Sequence, residues 1–549
     1  MTDDGRDTTR RTYLKIAGSA AVAGSLAGCA GGNSQISKNS GERNAGGETA
    51  GGKSTTSSKS GGGAAKNSGF PVTVTLSAPP STLDPQDHRS IPTENVVRQA
   101  YEGLIARDPK GNVINMLAKK YERIEPGRMR FHLRNGVTFH SGNKLTPEDA
   151  AFSVNRIVKP KVSINSPQAS QLAGVTGAEV VDGKHAIDVL SDGANPLVIA
   201  QFATYGDVME KAWVKKHDSS YIATHMNGTG PFKMTNYQQN VRVVFERNEN
   251  YWDKPAAVSK LTMNAAKSSS ARVNSLIERE TDLTVNVPPD DIPRVKKSGT
   301  ARVGTAPSTR VLYNAMRYDA EPFSSPKFRQ AMNYAIDLES IVKNILLEFG
   351  DATSQPTLQG FFGFNEQVDP YPHDPKKAAQ LVEESGQSGA SITLHTPVGR
   401  YLKDVQIAQA VVGMIDELPN VSAQVRQREF NALASELTDG KLDTGPKFYL
   451  IGWGNATFDA AKTILPTLTC DGTLTSYCNK EVDSLVRGSL DVTNDKKRKS
   501  MLEKANQILH DEAPWIFLNR QFGIYGIGGR IAWEPRRDER IDAYGIKPK

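Results

Sequence analysis

The chain has 549 residues, 38% of them hydrophobic and 23% charged, with a formal net charge of +7 at pH 7. That is the make-up of a globular protein long enough for two or more domains. The charge is unevenly placed. Residues 1–69 hold nine Lys/Arg and five Asp/Glu, which leaves the body at 70–549 close to neutral at +3 and excludes an electrostatic footprint for nucleic acid.

The first thirty residues read as a targeting segment. Thr9-Arg10-Arg11-Thr12 precedes a weakly apolar run over 16–27, which is too short for the about 20 residues that span a bilayer. Leu26-Ala27-Gly28-Cys29 ends the run as a lipobox. A twin-arginine signal at 1–29 with lipid attachment at Cys29 is expected, which puts the mature protein on the outer face of the cytoplasmic membrane. The alternative is an ordinary N-terminus with a chance Arg-Arg pair. One acyl chain holds a protein only marginally, so stable anchoring needs two or more. Residues 30–69 are nearly all Gly, Ser, Thr, Asn, Lys and Ala. Such a segment cannot bury enough surface to fold and reads as a disordered tether spanning about 35 Å.

In the body, alternation predicts a strand over 72–76, followed by Pro79-Pro80. Strand and turn follow over 131–137, then a helix opened by Pro147 and running through Ala150, Val154 and Ile157. Strands are expected at 186–190 and 241–247, a helix at 269–279 and a buried strand at 282–287. A second unit begins near Val311. It has helices after Pro326 and over 341–347, 376–385 and 405–418, strands at 391–395 and 448–453, and a long helix at 496–510 ended by Ala513-Pro514. The run Lys496-Lys497-Arg498-Lys499 falls on that polar helix and reads as a solvated face. No internal repeat is present. The pattern is mixed α/β, with a chain that enters a second lobe and leaves it again.

Cys470 and Cys478 remain once Cys29 is assigned to the lipobox. Outside the cytoplasm an isolated pair at this spacing is expected to close a surface loop as a disulfide, the alternative being two free thiols. Two cysteines without a nearby histidine are too few to hold a metal. The nine histidines show no HxH or HExxH spacing, and no nucleophile elbow or P-loop is present. Ser324-Ser-Pro-Lys327 fits the short SxxK pattern without its usual companions. No cofactor and no enzymatic activity are expected, an extracellular enzyme being the competing class.

Several segments, in order along nearly the whole body, resemble the family 5 extracellular solute-binding proteins. They are Ser81-Thr-Leu-Asp-Pro85, Tyr101-Glu-Gly-Leu-Ile105, residues 131–142, Gly228-Thr-Gly-Pro-Phe232, Arg247-Asn-Glu-Asn-Tyr-Trp252, residues 328–337 and Asp374-Pro-Lys-Lys-Ala378. These proteins are the binding components of peptide, nickel and glutathione ABC importers. The resemblance implies a two-lobed periplasmic-binding-protein-like fold with mixed sheets, a hinge of two crossover segments and an extra subdomain in the first lobe. Lobe 1 is expected over 70–308, lobe 2 over 309–513, and a return to lobe 1 over 514–549. Closure on ligand would be a hinge motion. The implied partners are a small peptide or other solute, an ABC permease and, through the lipid, the membrane, with the protein itself a monomer.

The resemblance also implies site residues. Arg400, in Thr396-Pro-Val-Gly-Arg-Tyr401, aligns with the arginine that holds the ligand carboxylate in dipeptide-binding members, where a guanidinium fork matches a carboxylate. Tyr401 would line the cleft beside it. Trp453 stands where the family places an aromatic beside the ligand. The same region of dipeptide binders carries a close cysteine pair, which fits Cys470 and Cys478. One position departs from the pattern. Peptide binders put an aspartate for the α-amino group three residues after that tryptophan, and here the residue is Ala456. Either Asp459 takes over or the ligand has no amino terminus there, since a desolvated ammonium needs a carboxylate. Glutathione-like ligands, modified peptides, oligosaccharides and metal complexes are the alternatives. Residues 228–231 read as a structural turn, and Tyr101 and Phe139 as packing residues.

Overall fold

A computed structural model describes residues 69–162, 164–438, 445–472 and 474–549. The twin-arginine signal, the lipobox with Cys29 and the tether over 30–68 lie outside these residues. Among the described residues no helix is long and apolar enough to cross a membrane.

One mixed sheet runs through the body. From one edge its strands are Val421–Arg428, Ala390–Pro397, Phe448–Gly454, Ala301–Met316, Trp515–Gly528, Leu283–Val285, Phe70–Leu76, Val258–Ala265, Arg242–Arg247 and Phe232–Gln238. Ala301–Met316 and Trp515–Gly528 are the long members, paired antiparallel, and they carry the chain between the two halves. Their pairing is interrupted midway: Pro307 faces Phe522 and Val311 faces Arg520, so residues 308–310 stand opposite Gln521 alone. Extra residues of this kind bend a strand and re-aim side chains. Core membership changes at the same level. Trp515, Ile516, Phe517 and Leu518 pack with Leu312, Phe448 and Leu450 or with Val311 and Tyr449, whereas Tyr525 and Ile527 pack with Val72, Val74 and Leu261.

The first half holds a separate four-stranded antiparallel sheet, Ala118–Glu125, Arg128–Leu133, Ala186–Ser191 and Val175–Val180, in that order apart from sequence. Helix Pro147–Val158 covers it, opened by Pro147 and a capping box between Thr146 and Asp149. This subdomain has its own core around Phe131, Phe139 and Phe202.

Most predicted elements are present, some longer than expected, such as Ala390–Pro397 and Asp495–Glu512, and some shorter. The helix at Ser269–Ile277 stops before Arg279, and the strand at Leu283–Val285 before Asn286, because both residues take the left-handed conformation that breaks regular structure. The helix expected at 341–347 is a wide turn at Ile341–Ile345, closed by Leu347 and Glu348, which are also left-handed. The sulfurs of Cys470 and Cys478 are bonded. A loop this short contributes about 2–3 kcal/mol through the unfolded chain.

The motifs that carried the resemblance converge on scaffold contacts. Asp84 and Arg156 form a fully buried two-pronged ion pair, 2.5 and 3.1 Å. Glu102 accepts from Thr229 Oγ1 at 2.7 Å, Tyr251 Oη at 2.6 Å and Trp252 Nε1 at 3.0 Å. A Cβ on Gly228 would meet the Ala100 carbonyl oxygen at 1.9 Å, so only glycine permits that approach. Asn333 clamps helix Pro326–Tyr334 to the second long strand, donating to the Trp515 carbonyl and accepting from the Phe517 N–H.

Burial pushes the Glu102 carboxyl up to about 7, against the pull of its three donors. A carboxyl raised in the folded state favours folding below its unfolded value near 4.5, and that contribution is lost as pH rises through about 7. Urea midpoints of the wild type should therefore fall more between pH 5 and pH 8 than those of Glu102→Gln. Equal falls would place the pH dependence elsewhere.

Candidate functional site

Strand Phe448–Gly454 ends in Gly452-Trp453-Gly454, paired with Leu312, Val311 and Arg310. Successive side chains on a strand point to opposite faces. A Cβ on Gly452 would lie 2.9 Å from the Tyr401 ring and 3.2 Å from Arg310 Cδ, and a Cβ on Gly454 3.3 Å from the Arg310 guanidinium. The two glycines thus make the floor on which Arg310 and Tyr401 lie. Trp453 points to the other face, toward the core that holds Val311 and Phe458. Its indole Nε1 is buried and has no hydrogen-bond partner among the described residues.

Arg400 sits in the loop between strand Ala390–Pro397 and helix Asp404–Asp416. Asp404 shapes that loop by accepting from the N–H groups of Gly399, Arg400, Tyr401 and Val405 at 2.8–3.1 Å. The Arg400 guanidinium carbon lies 5.1 Å from the Tyr401 ring centroid and 4.9 Å from that of Phe430. The side chain borders an open hollow of about 520 Å3, lined also by Val398, Gly399, Gln427, Arg428, Glu429 and Phe430. Glu429 accepts from the Ala432 N–H at 2.8 Å in the first turn of helix Phe430–Thr438. Among the described residues no carboxylate pairs with it. Desolvation and neighbouring Arg310 push its ionisation below the ordinary value, with Tyr401, Glu539 and Asp404 pulling back. Tyr401 is 6% exposed and packs as part of a core, its hydroxyl 3.4 Å from the Gly452 carbonyl.

Asp459 is placed differently. Its carboxylate is buried and takes both guanidinium arms of Arg498, at 2.6 and 2.9 Å, while Oδ1 also caps helix Ala460–Thr467 at the Ala461 N–H. Arg498 belongs to the basic run that read as a solvated face. Lys496, Lys497 and Lys499 are exposed, but Arg498 is 3% exposed. The signal was its register: Arg498, Leu502, Ala505 and Leu509 make one stripe along helix Asp495–Glu512, and all four are buried.

The segment after Trp453 meets the first half of the body. Thr204 Oγ1 donates to the Ala456 carbonyl at 3.0 Å, and Arg107 Nη2 to the Thr457 carbonyl at 2.8 Å. The Arg107 guanidinium also lies 4.6 Å from the Phe458 ring centroid. Nearby, Lys403 pairs with Asp290 at 2.6 Å, and Arg310 Nη2 stands 4.0 Å from Glu539 Oε2. Structure therefore brings Arg400 and Tyr401 together, places Trp453 across the same strand end, and holds Asp459 apart in an ion pair of its own. Asp404, Arg310 and Glu539 were missed by sequence reasoning. Asp404 had a signal, an acid at the start of a helix.

Residues 112–474 match the family described as bacterial extracellular solute-binding proteins, family 5 middle. The chain belongs to this family. Its members are binding proteins rather than enzymes. Among its relatives, heme-binding protein A of Haemophilus influenzae is 23% identical, covering 82% of this chain and 87% of its own. The glutathione-binding protein GsiB of Shigella boydii is 25% identical over 81% of this chain and 88% of its own. The structure of DppA from Helicobacter pylori in complex with the peptide STSA superposes with a TM-score of 0.73 at 19% identity, covering 87% of this chain and 98% of that one. The fold is that of the two-lobed periplasmic binding proteins.

Proposed function

We propose that this family 5 protein is the lipid-anchored receptor of an ABC importer, capturing a small peptide or peptide-like solute between its lobes outside the cytoplasmic membrane and passing it to the permease as a monomer. Arg400 supports this reading most directly, a guanidinium held over two rings at the mouth of a hollow with no carboxylate paired to it among the described residues. It would take the ligand carboxylate. Tyr401 supports the guanidinium from below and contributes its ring edge to the cleft. We read Trp453 as a support of the strand end rather than a contact of the same ligand, because its ring turns to the face opposite Arg400 and Tyr401 and its Nε1 is buried, without a partner among the described residues. We read Asp459 as a structural group, because an ammonium ligand would have to displace Arg498. Lobe 1 is read as 70–308, with a return that begins inside strand Trp515–Gly528. Lipid on Cys29 and a flexible tether would hold the lobes clear of the membrane.

Relatives whose names specify heme, glutathione and peptide leave glutathione-like ligands, oligosaccharides and metal complexes as the competing solutes. A thermal-shift screen of the full chain against dipeptides, longer peptides, glutathione, nickel chelates and oligosaccharides tests the reading. A ligand at one hundred times its Kd adds about 2.7 kcal/mol to stability, which is easily resolved. Stabilisation by peptides supports it. Stabilisation by glycans or nickel chelates alone would overturn it.

A further inference from the structure

We propose that Arg310, Arg400 and Glu539 act as one ligand-binding triad, and that the ligand it selects is a small peptide bearing two carboxylates and one ammonium. The proposal rests on the reading of Arg400 as a carboxylate anchor and narrows it to a substrate class.

Arg310 occupies the interrupted pairing between the two long strands, where residues 308–310 face Gln521 alone. The irregularity and the absent side chain of Gly454 let its guanidinium turn onto the Tyr401 face. Arg310 and Arg400 then flank one ring, their guanidinium carbons 6.0 and 5.1 Å from the Tyr401 centroid. Two like charges are gathered where the lobes meet, and neither has a carboxylate within hydrogen-bond distance among the described residues. The acid that faces Arg310 is Glu539, 4.0 Å away; Glu429, which lines the hollow beside Arg400, is engaged by the Ala432 N–H at 2.8 Å.

Neighbouring charges are already committed. Lys403 pairs with Asp290, Arg428 with Glu436, Arg536 with Asp538, and Arg540 with Glu94. Asp404 is saturated by four backbone N–H groups. Two groups of the C-terminal segment differ: Arg537 turns to the Gln359 carbonyl, and the Glu539 carboxylate has no hydrogen-bond partner among the described residues. The Glu539 backbone is left-handed, with φ +60, a conformation that is strained for a non-glycine residue. Two guanidinium groups and one carboxylate, on opposite lobes, are the charge complement of two carboxylates and one ammonium. A neutral dipeptide leaves one guanidinium unpaired in a desolvated site. A peptide with one acidic side chain does not.

Titration calorimetry of the full chain with Ala-Ala and Ala-Glu tests this. The wild type should bind Ala-Glu at least about tenfold more tightly, a difference of about 1.4 kcal/mol. Arg310→Gln should bring the two peptides within about twofold of each other by weakening Ala-Glu alone. Arg310→Lys, which keeps the charge, should retain part of the preference. Glu539→Gln should weaken both peptides by a similar factor. Urea midpoints without ligand, unchanged across the variants, separate these effects from misfolding. Equal wild-type affinity for both peptides, or a preference that survives Arg310→Gln, would overturn the triad and leave the peptide-receptor reading standing. Binding of neither peptide would defeat both.

Discussion

Arg400→Ala is expected to weaken peptide binding by at least about thirtyfold while costing the unliganded protein no more than about 1–2 kcal/mol. The asymmetry follows from geometry. Without ligand the guanidinium makes no ion pair among the described residues, and it rests on the rings of Tyr401 and Phe430 at the edge of an open hollow. Truncation removes only those ring contacts, each about 0.5–1 kcal/mol at an exposed position. With a carboxylate bound the same truncation strands a desolvated charge, and such losses run to about 2–5 kcal/mol. The effect should be largely in the dissociation rate. Arg400→Lys should recover only part, because a single ammonium cannot reproduce a two-pronged fork. Calorimetry with the best-bound dipeptide and urea unfolding measure the two halves. An Arg400→Ala variant that binds that peptide normally would remove the carboxylate anchor from the proposal.

Asp459→Ala should do the reverse, costing about 3–5 kcal/mol of stability. The substitution leaves Arg498 buried without a counter-charge, and breaking one side of a buried pair is expensive because the other charge stays. The helix Ala460–Thr467 also loses its cap, worth about 1 kcal/mol. Asp459→Ala combined with Arg498→Met should regain much of the loss, since the uncompensated charge is gone. Urea unfolding of the single and double variants gives the coupling directly. A stable Asp459→Ala variant that loses binding of free-amine peptides would instead make Asp459 the ammonium anchor, with Arg498 as its resting partner.

The two residues were read from the same stretch of reasoning, yet they part in the fold. Arg400 follows a proline and a glycine and precedes a helix, so a loop position was apparent locally. Asp459 looked equally available, because its partner lies on a helix nearly forty positions away in sequence. The same holds for the motifs that pointed to the family. Asp84 with Arg156, Glu102 with Thr229, Tyr251 and Trp252, and Asn333 with the strand at Trp515–Gly528 fasten distant segments together. Those motif residues identified the fold by building it.

Local chemistry was enough for the strands that alternate, the helices that begin at Pro147 and Pro326, and the loop that holds Arg400, since each depends on residues within a turn or two of one another. Membership of the family and the mixed α/β architecture were likewise readable along the chain. The long pairing of Ala301–Met316 with Trp515–Gly528, the burial of Arg498, and the meeting of Arg310 with Arg400 and Glu539 were not. Each needs a register between strands or a packing of helix on sheet that no local pattern encodes. Whether a charge is solvated, paired or left for a ligand depends on which distant groups the fold brings within a few ångströms of it.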